Sequence, residues 1–189
     1  MGAPTVKGRA RREQILYAAQ TAFASRGYRG ASIAAIAEDV GLSEPGLLHY
    51  FPSKGALLLE TLEFHHRRTK EEAFGGAGSF ADHLVSLASN HERDPGFIRL
   101  LLVLAAESTD PEHPAHDWFV ARYERVRIGM ERQFAADLGA GLLRENLDPA
   151  HVARQAIAML DGLELQFLLT GGSLDIVTPL RAWLEPLYR

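Results

Sequence analysis

Apolar residues recur along this chain at intervals of three and four and almost nowhere alternate with polar ones at a period of two, so the pattern predicts helices throughout and no sheet. Ile15, Ala18, Ala19, Ala22 and Phe23 share one face of a first helix, which Gly27 closes after the basic Arg26. Ser32 is placed to cap a second helix that turns Ile33, Ile36, Ala37 and Val40 inward and stops at Gly41. Ser43 caps a short third helix, where Pro45 lies in the first turn and its missing donor costs little. Ser53 opens a longer one through Leu57, Leu58, Leu62 and His65, ending at the loop of Gly75, Gly76 and Gly78. Further on, Asp94 with Pro95, Asp110 with Pro111, Asp148 with Pro149 and Thr178 with Pro179 each set a capping side chain before a proline. With Ser79 they frame helices of about 79–91, 95–107, 114–138, 149–170 and 178–186. The expected fold is all-α with nine helices.

Composition narrows the class. The chain has 189 residues, 47% of them hydrophobic, which is enough for a substantial core and excludes wholesale disorder. It has no cysteine, so disulfides, thiolate zinc sites and cysteine nucleophiles are all excluded. The longest apolar run, Leu100 to Ala106, is far short of the roughly 20 residues that cross a bilayer, and the basic start lacks the apolar stretch of a secretory signal. A cytoplasmic protein without a membrane partner is the expectation. The net charge of −4 conceals an asymmetry: residues 1–54 carry seven Lys and Arg against four Asp and Glu, and the remainder is acidic. A basic head on an acidic body suits a polyanionic partner, although a basic tail without one has the same composition.

Residues 32–51, SIAAIAEDVGLSEPGLLHYF, hold the parts of a helix-turn-helix: two turns of helix, a tight turn at Gly41 and Leu42, and a second short helix. Ile33, Ala37, Val40, Leu42, Leu47 and Leu48 are spaced to pack the two helices together, which leaves Ser43, Glu44, Gly46, His49 and Tyr50 outside. Hydroxyls and an imidazole donate to phosphates or base edges, and a glycine lets the backbone come close to a groove. A plain helical corner has the same ingredients.

Residues 9–62 resemble the DNA-binding domain of the TetR family of transcriptional regulators, most specifically in GLLHYFPSKGALL from Gly46 to Leu58. The resemblance implies a DNA-binding domain over residues 1–53, with a basic arm, and a helical effector-binding and dimerisation domain over 54–189. It implies that Ser32, Tyr50 and Lys54 hold phosphates, that Ser43, Glu44, Pro45, Gly46 and His49 face the major groove, and that Arg11, with Lys7, Arg9 and Arg12, lies along the arm. Glu44 departs from the Lys, Arg or small residue common at its position; it either accepts from a cytosine amino group or points away. Residues 153–169, ARQAIAMLDGLELQFLL, resemble the eighth helix of members with a C-terminal domain of the betaine-regulator type, half of a dimer interface in those relatives.

That likeness suggests a homodimer presenting two heads about 34 Å apart on a palindromic operator. Its surface would take Ala153, Ala156, Ile157, Leu160, Glu164 and Leu168 from one stripe and Trp183, Leu184 and Leu187 from another, unless the same stripes pack internally. For a small-molecule effector, Phe119, Tyr123 and Met130 share a helical face, with Phe97 and Leu101 before them and Met159, Leu163 and Phe167 after. Such a stripe serves as core as well as pocket lining, and Trp118, Arg122, Glu107 and Gln166 are the candidates for its few polar groups. The helix beginning at Lys54 would carry the signal from Leu62 and His65 to the head. His113 and His116, separated by Pro114, read as loop histidines, so no metal is expected, nor any other cofactor. No phosphate loop, nucleophile elbow or HExxH pair occurs, so no catalytic residue is nominated. A ligand-responsive repressor is the expected function; an all-helical enzyme or carrier without DNA binding is the alternative.

Overall fold

The structure is a computed structural model that describes residues 6–73 and 79–189; Pro4 and the loop glycines Gly75, Gly76 and Gly78 lie outside them. Among the described residues are nine α-helices and no strand: α1 (Val6–Gly30), α2 (Ile33–Asp39), α3 (Glu44–Tyr50), α4 (Lys54–Ala73), α5 (Phe80–Arg93), α6 (Pro95–Glu107), α7 (His116–Gly139), α8 (Pro149–Leu169) and α9 (Val177–Leu184). None of these helices is long and apolar enough to cross a membrane.

Most starts follow from their caps. Ser79 and Asp82 form a reciprocal capping box on α5, the Phe97 amide donates to Asp94 Oδ1 at 3.3 Å, and the Ala150 amide donates to Asp148 Oδ1 at 3.0 Å. Two expected starts differ. Asp110 opens no helix: its Oδ1 accepts the Glu112 amide at 3.0 Å and its carbonyl accepts the His113 amide at 3.0 Å, a closed turn. Pro114 then biases His113 away from helical backbone, and α7 begins only at His116. α9 begins at Val177 rather than Thr178, because Asp175 Oδ1 accepts the amides of Val177 at 2.8 Å and Thr178 at 3.2 Å. In α1 the helical run breaks at Gly27 (φ 68°, ψ 179°), a conformation open to glycine, and a further turn follows to Gly30.

The chain divides into two compact units: the described part of Met1–Thr69 with Arg99–Trp118, and that of Lys70–Ile98 with Phe119–Arg189. The first is built around Ile15, Phe23, Ile36, Leu47, Phe51, Leu57, Leu58 and Leu62, joined by Leu100 and Leu104 of α6, each at most 1% exposed. Burial of each such side chain contributes about 1.5–3 kcal/mol, which holds the short helices α2 and α3 that are too brief to persist alone. In the second unit Phe80 meets Phe134 edge-on at 4.8 Å, and Leu84, Ile98, Leu143, Val152, Ile176 and Leu180 close the core. Asp137 Oδ2 accepts both the Phe80 amide at 2.9 Å and the Tyr188 hydroxyl at 2.6 Å, tying the start of α5 to the chain's last residues.

The α8 stripe expected at a subunit interface turns inward. Ala153 and Ala156 have no exposed surface, Leu160 and Glu164 are nearly as buried, and Leu184 of α9 is 2% exposed, so these five have almost nothing to offer a partner. Ile157, Leu168, Trp183 and Leu187 are half-buried. Facing out instead are Arg154, Ala158, Leu165 and Leu169, the last 77% exposed. The stripe is the apolar side of an amphipathic helix, and a sequence does not tell whether such a side packs within its own chain or against a second one.

Candidate nucleic-acid interface

The turn between α2 and α3 is set by backbone geometry. Gly41 takes φ 65°, its amide donates to the Glu38 carbonyl at 2.9 Å, and the Leu42 amide reaches back to Ala37 at 2.8 Å. Ala37 and Leu47 are fully buried where the two helices cross, and Phe51 at the end of α3 is 1% exposed. The serine hydroxyls cap as the spacing predicts: Ser32 Oγ accepts the Ala35 amide at 3.5 Å, and Ser43 Oγ accepts the Gly46 amide at 3.2 Å.

With the apolar side consumed by packing, the remaining face is open. Ser32, Ser43, Glu44, Pro45 and His49 are exposed, and Gly46 and Tyr50 are half-buried. Glu44 occupies the first position of α3, where the unpaired amides of a helix start favour a carboxylate. That local benefit explains how an acid persists on an otherwise basic surface. A Cβ at Gly46 would come within 3.2 Å of Ser43 Oγ, so the absent side chain keeps the cap undisturbed as well as the surface flat.

The basic residues divide into free and committed ones. Lys7, Gly8, Ala10, Arg11, Gln14 and Tyr50 line a hollow of about 610 Å³ beside α3, and Arg11 spans it, bonded to Gln14 Oε1 at 3.0 Å and to the Gly41 carbonyl at 3.4 Å. Arg12, expected on the arm, is a brace: Nη1 donates to the Tyr50 carbonyl at 3.0 Å, Nη2 pairs with Glu60 at 3.1 Å, and the guanidinium lies 4.2 Å from the Phe51 ring centre. Lys54 is turned toward α1, its ammonium donating to the Arg29 carbonyl at 3.2 Å and resting 4.7 Å from the Tyr28 ring centre. Partial burial holds its pKa below the usual lysine value, and Glu107 opposes that. A phosphate contact from Lys54 therefore has to share an ammonium already in use.

Sequence reading found neither Arg12's role nor that of Glu107. Glu107, considered among the pocket's polar groups, accepts the Tyr28 amide at 2.6 Å, and Gln166 is exposed and bonded along its own helix to Gly162. His113 is buried, at 8% exposure, rather than lying on a loop surface. A contact between residues 79 positions apart leaves no local mark in a sequence.

The residues nominated for an effector pocket fall in both units. Leu101 and Trp118 belong to the first, where the Trp118 indole donates to Glu63 at 3.5 Å. Phe97, Phe119, Arg122, Tyr123, Met130, Met159, Leu163 and Phe167 belong to the second; Phe97, Phe119, Met130, Leu163 and Phe167 are buried and the others half-buried. The Tyr123 hydroxyl donates to Asp161 at 2.9 Å, and burial together with that carboxylate pushes its pKa up to about 12. His91 Nδ1 meets Glu164 Oε1 at 2.5 Å, with the Phe97 ring 6.1 Å away.

Residues 15–61 match bacterial regulatory proteins of the tetR family, and residues 82–185 match the C-terminal region of BetI-type transcriptional repressors. The chain is 29% identical over 163 residues to the HTH-type transcriptional regulator PksA of Bacillus subtilis (strain 168), covering 84% of this chain and 79% of that one. Its fold is shared with a TetR transcriptional regulator of Chloroflexus aurantiacus, at TM-score 0.83 and 20% identity over 98% of this chain and 99% of that one. It is shared also with a transcriptional regulator of Saccharomonospora viridis solved in complex with choline, at TM-score 0.78 and 24% identity over 94% and 95%. With matches spanning both the helix-turn-helix and more than half of the chain's length beyond it, the chain belongs to the tetR family and is a DNA-binding transcriptional regulator.

Proposed function

We propose that the protein is a homodimeric repressor whose two heads read a palindromic operator and release it when a small molecule enters the second unit. In this reading residues 1–53 recognise DNA, while residues 54–189 hold the effector and pair the subunits, in the cytoplasm where the operator is. The observation that carries it is the outer face of α3: a capped, well-packed helix that leaves Ser43, Glu44 and His49 in solvent beside a basic hollow. Ser32, Tyr50, Arg11 and Lys54 contact phosphates and set the register; Ser43, Glu44, Pro45, Gly46 and His49 meet the groove.

Pairing of subunits would use the outward stripe of α8, Ala158, Leu165 and Leu169, with the half-buried Ile157, Leu168, Trp183 and Leu187 at its margin. The effector would be a small amphiphile, because the second unit contains both half-buried polar groups, Arg122 and the bonded pair Tyr123 and Asp161, and the apolar Phe97, Phe119, Met159 and Leu163. The choline held by the Saccharomonospora viridis relative is one compound to assay.

The test is selection of duplexes from the host's genomic DNA by the full-length protein, followed by binding titrations at several salt concentrations. Changing Tyr50 and Lys54 together to Ala should weaken binding to every duplex alike and flatten the dependence on salt. Unaltered binding in that double variant contradicts the assigned phosphate contacts.

A further inference from the structure

We propose that Glu107, the last residue of α6, is the positioning residue of the DNA-reading head, and that it acts through its charge on the backbone where α1 resumes after Gly27. The inference rests on the DNA-reading function above and names how that function is controlled.

At Gly27 the helical hydrogen-bond ladder is interrupted, and the Tyr28 amide that begins the next turn donates to Glu107 Oε2 at 2.6 Å. The carboxylate enters a space that any other residue at position 27 would fill. A Cβ there would run into the Glu107 carboxylate and displace it, and the backbone itself requires glycine, with φ 68° and ψ 179°. A charged acceptor makes a bond roughly twice as strong as a neutral one, which suits a joint that must hold an angle.

The same carboxylate is shared further. The Lys54 ammonium, at the first residue of α4, lies within its electrostatic reach and rests over the Tyr28 ring. His113 Nε2 is 3.8 Å from Glu107 Oε2. His113 Nδ1 accepts the Ala115 amide at 3.2 Å, with Ser108 Oγ at 2.9 Å, which leaves the ring proton on Nε2 and directs it at Glu107. The Tyr28 ring stands edge-on to His113 at 5.1 Å, and Arg29 pairs with Asp110 at 3.2 Å alongside. One side chain at the end of α6 thus addresses the tail of α1, the start of α4 and the turn that follows α6.

Specific binding needs two heads at one spacing, whereas non-specific binding needs only basic surface. A joint that fixes one posture of the head therefore favours the specific mode by removing alternatives. The experiment compares full-length wild type with Glu107→Gln, which keeps length and loses charge, and Glu107→Asp, which keeps charge and loses reach. The probes are a duplex enriched from a random library by the wild type and an unrelated duplex of equal length, each titrated at several salt concentrations, with amide exchange followed at Tyr28. Both variants should bind the enriched duplex about 5- to 150-fold more weakly, with the unrelated duplex and the salt slope unchanged and Tyr28 exchanging faster. Unchanged affinity for the enriched duplex overturns the inference, as does a changed salt slope, which would make Glu107 part of the DNA contact or of the head's folding. Faster exchange at Tyr28 without loss of affinity also overturns it. Failure of the wild type to enrich any duplex overturns instead the DNA-reading function, and this inference with it.

Discussion

In the first unit Ser32, Ser43, Glu44 and His49 stand in solvent around α3, whereas in the second His91 and Glu164 are paired in the interior and the Tyr123 hydroxyl is spent on Asp161. The contrast follows from what each surface is for. A nucleic-acid face works in water and exchanges its hydration for phosphates and base edges at the moment of binding, so its polar groups stay exposed and only their backbone carriers are fixed. A polar group inside a helical body has lost its water at folding and must be matched by a partner already in place. The first kind is cheap to alter and dear to function; the second is the reverse.

The largest effect that separates the two regions belongs to the buried pair. Glu164→Ala should lower the stability of the second unit by about 1–3 kcal/mol in chemical denaturation, since it leaves the His91 ring without its hydrogen-bond partner, and the double change of His91 and Glu164 to Leu should recover most of that loss. A double variant as unstable as the single one would show that the pair is not the cause. Next come the glycines of the first unit. Gly27→Ala and Gly41→Ala each force an alanine to a positive φ at a cost of at least about 1 kcal/mol, and Gly27→Ala should cost more, because its ψ of 179° lies where essentially only glycine goes and the Glu107 carboxylate must also give way, whereas nothing lies within 4 Å of a Cβ at Gly41. Equal losses would show that neither the backbone angle nor the carboxylate sets position 27 apart.

A third effect is pH-dependent. Burial holds the His113 pKa below the ordinary histidine value, more strongly than Glu107 and Asp110 raise it. The unfolded chain therefore binds a proton at a pH where the folded one does not. Stability should be full above about pH 6.5 and fall below it, by at most about 1.4 kcal/mol per pH unit, until the folded-state pKa is passed. Denaturation of His113→Gln across that range should lack the decline; an unchanged profile would assign it elsewhere. The smallest expected effect is at the exposed face, where Ser43→Ala removes the α3 cap and should cost about 1 kcal/mol in thermal unfolding.

What was legible in the sequence follows the same division. The caps at Ser32, Ser43, Ser79, Asp94 and Asp148 work over two or three residues, so local spacing reveals them, and so do the turn at Gly41 and the outward side of α3. Asp110 misled because its carboxylate closes a turn with Glu112, a choice made by Pro114 and the burial of His113 and not by the Asp-Pro pair itself. The burial of the α8 stripe was hidden because the same apolar side would serve a core or a subunit interface, and only packing with residues distant in sequence, such as Phe80, Phe134 and Leu180, distinguishes them. Arg12 and Lys54 look alike as basic residues near a recognition helix. Their commitment to the Tyr50 and Arg29 carbonyls depends on contacts 38 and 25 residues away. Residues 99–118, distant in sequence from the head, join its compact unit, and no local pattern announces it.

The central claim, that the outer face of α3 reads duplex DNA, is tested most directly by comparing the sites enriched from a random library by the wild type and by the double variant Glu44→Ala, His49→Ala. The account predicts that the variant still binds with the same salt slope but loses base preference at about one position for each substituted residue in every half-site. Identical preferences in both proteins would place sequence recognition somewhere other than this helix.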